Sequence, residues 1–340
     1  MNNDIQISFC LPVYNVVNFV EECIQSIVNQ CFMICGGGGY EILCLDDCST
    51  DGSYELLKRF TDRYPNMKVL QNDRNLGVSF TRNELIRKAC GKYIWFVDPD
   101  DMLYPGVVNL VLQAAEDTNA DVILGNYLEV PEVYKQKFEP LKSIMVSCNS
   151  HLKVLPTNAK GACMCAIWAG LFRRNFILES NLFFNEKMIA QEDTLYYYEI
   201  SLRAKNIYRF DEPSYLYRQR STSIMHTRDS KRALKYYYSM LEMYHVYKHH
   251  YDTGDFDNET ILLNKLAHMR QNLALTVVGL QDTRMVISEF KKLKQEKLYP
   301  YTQKVLPPSG LLRIILKILP YEIGFWFIHL LYKIRYLILN

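Results

Sequence analysis

Three features of the chain predict an α/β fold with a mostly parallel sheet and a helical C-terminal region. Over the first 125 residues, strand-like and helix-like segments alternate at the spacing of βαβ units. The strand-like segments are short apolar runs, the pattern of strands buried on both faces. Beyond Asp229 the pattern becomes helical, in long stretches rich in Tyr, Leu and Met.

The elements follow in order. Ile5–Leu11 is apolar and bounded by Pro12, and Val16–Gln30 has helical spacing. Glu41–Leu45 is a second strand ending at Asp46-Asp47. Asp51–Tyr64 reads as a helix with acids near its start. Lys68–Gln71 is a third strand, Ser79–Cys90 a helix, and Tyr93–Val97 a fourth strand of aromatic and β-branched residues. Pro105–Thr118 is a helix with Pro105 near its first turn, and Asp121–Leu124 a fifth strand. Residues 126–228 mix short strands, loops and helices, and no internal repeat is evident.

Net charge is +2 over 340 residues, which argues against a general nucleic-acid binder. The charge is uneven: from Arg284 onward ten Lys or Arg face three Glu, while the residues before it carry 29 basic and 34 acidic side chains. The tail 307–340 is apolar with interspersed Arg313, Lys317, Lys333 and Arg335. Its longest uncharged run, Ile323–Tyr332, has ten residues, where a membrane-spanning helix needs about twenty. Two short amphipathic helices lying in a membrane surface are expected, with Trp326 and several Tyr at the interface. The competing reading is a helical hairpin packed on the protein's own core. All ten cysteines lie between Cys10 and Cys165 without a zinc spacing, and they read as reduced, mostly buried thiols. The start of the chain lacks the basic and apolar regions of a signal peptide, so the expected site is cytoplasmic, at the inner face of the cytoplasmic membrane.

The most informative residues are Asp98-Pro99-Asp100-Asp101, directly after the fourth strand. Open α/β sheets bind ligands at the carboxyl ends of their strands. Clustered carboxylates there suit Mg²⁺ or Mn²⁺, which can also bind a diphosphate. Solvated aspartates capping the next helix would look the same. Three more polar sets end the other strands: Pro12–Asn15, Asp46–Asp51, and Asn72–Gly77 leading to Arg82. Together they line one cleft, where carboxylates can bind a base or ribose and Arg82 can meet a phosphate. Gly36–Gly39 precedes a strand and lacks the Lys-Ser/Thr of a phosphate-binding loop, so it reads as a connector.

These stretches resemble family 2 inverting glycosyltransferases with the GT-A fold. The matching segments are PVYN at 12–15, DDCSTDGS at 46–53, NLGVSFTRN at 75–83, GKYIWFVDPDD at 91–101 and QEDTLYYYEI at 191–200. The resemblance runs from about Ile5 to about His226. It implies that Pro12, Tyr14 and Asn15 border the nucleotide base, and that Asp46 or Asp47 bonds the uracil or ribose. Asp98 and Asp100 would be the DxD pair, Asp100 being the main metal ligand, with His226 a further metal or phosphate contact. Asp193 of the Glu192-Asp193 pair would be the catalytic base, with Glu192 and Trp168 on the acceptor side. Trp168 read by itself is equally a core residue, and Arg218 or Arg220 could pair with phosphate. The family usually has Gly where this chain has Cys48.

The expected organisation is a catalytic domain over 1–228, its nucleotide-binding half about 1–125 and its acceptor half about 126–228, then a helical region over 229–340. The resemblance implies a nucleotide-sugar donor, most simply a UDP-sugar, a saccharide or lipid-linked saccharide acceptor of surface-polysaccharide type, and Mn²⁺ or Mg²⁺. The alternatives are a GT-A-like nucleotidyltransferase and an inactive sugar-nucleotide-binding module. Pro12–Asn15 in place of a glycine-rich basic loop argues against the first, and the intact acids Asp98, Asp100 and Asp193 against the second.

Overall fold

A computed structural model describes residues 5–31, 39–133, 137–148, 166–220, 230–255 and 283–295, with isolated helical positions between 262 and 273. The strands are β1 (Ile7–Val13), β2 (Tyr40–Asp46), β3 (Met67–Gln71), β4 (Tyr93–Phe96), β5 (Met102–Leu103), β6 (Val122–Pro131), β7 (Ser147–Cys148), β8 (Gly170–Arg173) and β9 (Ile207–Gln219). The helices are α1 (Val20–Cys31), α2 (Ser53–Thr61), α3 (Val78–Lys88), α4 (Val107–Thr118), α5 (Arg174–Glu179), α6 (Glu192–Arg203), α7 (Ser230–Thr253) and α8 (Thr283–Gln295). The strands join in one sheet of order β3-β2-β1-β4-β8-β6-β9-β5, with β7 also on β9.

The predicted class is observed. β3, β2, β1 and β4 are parallel neighbours. Helices cover both faces of β1, β2 and β4, which are buried throughout, while β3 at the edge is only partly buried. On one face Ile7, Phe9, Leu11 and Val13 pack with apolar residues of α1, α2 and α4. On the other, Cys10, Leu43, Ile94 and Phe96 pack with α3, α5 and α6 through Leu85, Ile86, Ile177 and Tyr196. The period of two along β1 sorts its residues between the two layers.

Two expectations change. Pro12 does not bound the first strand, which runs on to Val13. Cys10 accepts from Val97 on the β4 side, so alternation turns Pro12 to that side, where β4 has already ended at Phe96. The missing N–H of Pro12 therefore costs no ladder bond. Second, α1 starts at Val20 and not Val16. The backbone N–H groups of Val16 and Val17 are taken by Ser53 Oγ and Asp51 Oδ2, both at 2.9 Å, which holds this stretch as a turn against the loop after β2.

Beyond β4 the sheet departs from a simple parallel pattern. β8 lies antiparallel between β4 and β6, and β6 pairs with β9 in parallel. β5 pairs antiparallel with β9, bringing β9 beside the Asp98–Asp101 turn.

The chain divides into two compact units, Met1–Glu186 with Glu192–Ser223, and Lys187–Gln191 with Ile224–Asn340. In the second unit, α7 buries Tyr237, Met240, Met243 and Tyr247, and its Tyr238 hydroxyl donates to Glu289 Oε1 of α8 at 3.2 Å. Among the described residues no helix is long and apolar enough to cross a membrane. The tail 307–340, residues 36–38 of the glycine run, and His226 lie outside the described residues.

Gly91, between α3 and β4, sets how closely the chain passes β1. A Cβ there would lie 2.6 Å from the Ser8 nitrogen and 2.7 Å from the Ile7 carbonyl carbon, both backbone atoms of the central strand. Gly91→Ala is expected to cost about 1–3 kcal/mol of stability. Urea unfolding measures this, and an unchanged midpoint would contradict the close approach.

Candidate functional site

Four parallel strands end on one edge, and their polar termini form the site. After β1, Tyr14 is 48% exposed, and Asn15 holds the next loop. Asn15 Oδ1 accepts from Thr50 N and its backbone N donates to Ser49 Oγ, both at 2.9 Å. Asn15 itself has φ 52°, a left-handed conformation that Asn tolerates. Cys48 on the same loop has φ 62°. That is the backbone region glycine favours and an ordinary side chain enters at a cost of about 1–2 kcal/mol. The residue at which this chain departs from the family pattern is therefore one where glycine has a conformational reason to stand.

Asp46 and Asp47, at the end of β2, are both buried but do different things. Asp47 is committed to the fold. Its Oδ1 accepts from Asn72 Nδ2 and Leu76 N, and its Oδ2 from Gly77 N, all at 2.8 Å. These bonds tie the loop after β3 to β2. Asp46 Oδ2 accepts from Ser49 N and Gln71 Nε2 at 3.0 Å, whereas its Oδ1 is buried with no donor among the described residues. A buried acceptor without a donor costs about 1–3 kcal/mol, so a ligand N–H or O–H is well placed to satisfy it.

Asp98-Pro99-Asp100-Asp101 is a turn closed by Asp101 N donating to Asp98 O at 3.0 Å, with proline at its second position. The three carboxylates separate. Asp101 points inward, 1% exposed, and accepts from Arg218 N at 2.7 Å. Burial and the neighbouring carboxylates of Asp100 and Asp98 push its carboxyl up to about 9. Asp101 thus anchors the turn to β9. Tyr215 helps, its hydroxyl accepting from Asp98 N at 2.9 Å. Arg218 backs the turn from below: Nε donates to Asp100 O and Nη1 to Glu132 O, both at 2.9 Å, and Nη2 pairs with Glu22.

Asp100 and Asp98 face the cleft. Asp100 Oδ2 pairs with Arg220 Nη2, and the Arg218 and Arg220 guanidinium groups each lie 5.2 Å from the Phe19 ring centre. Burial and repulsion from Asp98 push the Asp100 carboxyl up, against the pull of Arg220 and Arg218. Asp98 Oδ1 accepts from Arg82 Nη2 at 3.0 Å.

Arg82, expected to meet a phosphate, is paired with three carboxylates. It is 3% exposed, and Nη1 donates to Glu192 Oε1 at 2.9 Å and to Asp193 Oδ1 at 2.7 Å. Burial alone would push the guanidinium toward neutrality; Asp193, Asp98 and Glu192 outweigh it and hold the group charged. The structure thereby brings Asp98, Glu192 and Asp193 onto one cation. The neighbouring Asn83 fixes the segment before α6, exchanging bonds with Phe184 N at 2.8 Å and Phe184 O at 3.0 Å.

Trp168 is a core residue. It is 8% exposed, stacks on Tyr215 at 4.4 Å and Tyr217 at 5.5 Å, and its carbonyl accepts from Trp95 Nε1 at 2.8 Å. Of the two readings left open for Trp168, core residue and sugar platform, this burial and stacking favour the core. The sequence reading missed Tyr215, because a tyrosine inside a long strand carries no signal for bonding a distant turn.

Among the described residues no group of three or more His, Cys, Asp or Glu is placed to hold a metal. Asp98 and Asp100 are the two carboxylates that could hold one together with a ligand. Mg²⁺ is commonly held by one or two carboxylates together with substrate phosphates. Asp98 and Asp100 are hard oxygen donors, close enough that the Asp98 carboxylate helps push the Asp100 carboxyl up.

Asp47→Ala would leave three donors of the loop after β3 without their acceptor, at an expected cost of about 2–3 kcal/mol. Urea unfolding tests this; a loss below about 0.5 kcal/mol would contradict the anchoring role.

Comparison with known proteins agrees with this geometry. The Glycosyl transferase family 2 profile matches residues 8–177, half of the chain. The uncharacterized glycosyltransferase YibD of Escherichia coli is 27% identical over 66% of this chain and 64% of its own length. The poly(ribitol-phosphate) beta-glucosyltransferase of Bacillus spizizenii is 29% identical over 59% of this chain, an alignment that spans only 30% of that protein. Residues 1–349 of Staphylococcus aureus TarS, solved with UDP-GlcNAc, superpose with a TM-score of 0.54 at 17% identity, covering 88% of this chain and 95% of that fragment. At that identity the likeness speaks for the fold, which is GT-A. With the profile match across β1 to α5, the chain belongs to glycosyl transferase family 2.

Proposed function

We propose that the protein is an inverting glycosyltransferase that moves a sugar from a UDP-sugar to a hydroxyl of a saccharide acceptor. One observation carries this reading: the donor-side Asp98 and the acceptor-side Glu192 and Asp193 converge on Arg82 at the carboxyl edge of the sheet. Inverting transfer needs two separate acidic sites, one for the leaving diphosphate and one for the incoming hydroxyl.

The residues divide the work as follows. Pro12, Tyr14 and Asn15 border the base, and Asp46 Oδ1 accepts from the uracil imide N–H. Asp98 and Asp100 would hold Mg²⁺ or Mn²⁺, which when bound offsets charge on the departing diphosphate. His226 is a further candidate contact there. Arg220, already paired with Asp100, is a cationic side chain at that position. Asp193 takes the proton of the acceptor hydroxyl. The acceptor oxygen then bonds to the anomeric carbon, and the bond from that carbon to the diphosphate breaks, its electron pair leaving with UDP. The UDP donor is supported by TarS having been solved with UDP-GlcNAc.

The proposed acceptor is a lipid-linked saccharide of a surface polymer. Its support is the Bacillus relative, named a poly(ribitol-phosphate) beta-glucosyltransferase, and the basic, apolar tail 307–340, suited to an anionic membrane surface at the cytoplasmic face. The proposed division is a catalytic domain over 1–228 and a helical, membrane-associating region over 229–340.

Asp100→Ala is expected to abolish the Mn²⁺-dependent part of UDP binding in isothermal titration; undiminished affinity would remove Asp100 from the donor site. Asp193→Asn is expected to leave UDP binding within about twofold and to lower kcat by at least about 100-fold. Transfer at the wild-type rate would place the base elsewhere.

A further inference from the structure

Arg82 could serve the donor, the acceptor side or only the fold, and its surroundings discriminate. The guanidinium is buried, with one terminal nitrogen, Nη2, on Asp98 and the other terminal nitrogen, Nη1, shared by Glu192 and Asp193, while Nε has no partner among the described residues. Both sides of its planar fork are thus occupied by carboxylates, and a diphosphate would have to displace them. Its setting is rigid: the group lies 5.4 Å from the Phe184 ring centre, and Phe184 stacks on Tyr196 at 3.9 Å. Arg82 and Asn83, consecutive on α3, each hold part of the segment around the start of α6. The carboxylates joined by Arg82 are about a hundred residues apart in sequence.

We propose that Arg82 is a positioning residue for the transfer step, holding the proton-accepting carboxylate of Asp193 in register with the donor-side carboxylate of Asp98, and that it does not bind the diphosphate. This rests on the assignment of Asp193 as the base. Only a forked guanidinium reaches both carboxylate sets at once; an ammonium is a point charge that serves one side. Register matters because a displacement of about 1 Å at a reacting group can cost on the order of 100-fold in rate.

The test is Arg82→Lys in the full chain, with UDP affinity measured by titration in Mn²⁺ and transfer kinetics measured beside it. The charge is retained, so the variant is expected to fold. The expected result is a UDP Kd and donor KM within about threefold of wild type and a kcat lower by about 10- to 100-fold. Arg82→Ala assayed with and without guanidinium ion is the second variant, and guanidinium is expected to restore at least about tenfold of its lost kcat. Three results would overturn the inference: UDP affinity falling in step with kcat, which would return Arg82 to the donor; kcat within twofold of wild type in Arg82→Lys; or no recovery of Arg82→Ala with guanidinium. Asp193→Asn assayed in parallel separates the two levels. If that variant still transfers, the base assignment fails whatever Arg82 does. If it is inactive while Arg82→Lys matches wild type, only the positioning role fails.

Discussion

The ion cluster around Arg82 is the constraint on which the site depends. One buried guanidinium neutralises carboxylates from β4's end and from the start of α6, and without it three acids would face one another in a low-dielectric pocket. Breaking a buried pair costs about 3–5 kcal/mol, so α3 and α6 have little freedom to separate at this point. A buried ionic cluster is a poor way to gain stability, since well-packed apolar residues often do as well. Its presence at a ligand-binding sheet edge is better understood as the means by which two acidic sets are kept close yet distinct.

The second constraint is the anchoring of the Asp98–Asp101 turn. Asp101 is buried against the backbone of β9, and Arg218 and Tyr215 hold the turn's backbone from beneath. The inward residue thereby fixes the outward pair. Asp100 is balanced by Arg220 and Asp98 by Arg82, and the remaining repulsion between the two marks where added positive charge is welcome. Arg218 on β9, Arg220 just after it and Arg82 on α3 thus supply positive charge beside the two carboxylates.

Much of this was legible in the sequence for a simple reason. Parallel strands buried on both faces appear as apolar runs, and their polar ends must fall on one edge, so the cleft and its four residue sets follow from order alone. What lies beyond β4 was not legible. β8 is four residues long, too short for a period to show, and β9 enters the sheet from more than a hundred residues downstream of β4. Arg82 was read as a phosphate contact because its partners at 192 and 193 are distant in sequence, and only folding brings them together. Trp168 read equally as core or platform, and packing against Tyr215 and Tyr217 decided for the core. Cys48 looked like a small substitution; its left-handed backbone shows why glycine is the ordinary choice there.

The central claim is that the acids on the two sides of Arg82 have separate tasks, Asp98 with Asp100 for a cation and donor diphosphate, Asp193 for the acceptor proton. Anomalous diffraction at the manganese edge from crystals grown with UDP and Mn²⁺ tests that division most directly. The account predicts one manganese peak against Asp98 and Asp100, with Glu192 and Asp193 still on Arg82. A peak held by Glu192 and Asp193 would contradict it.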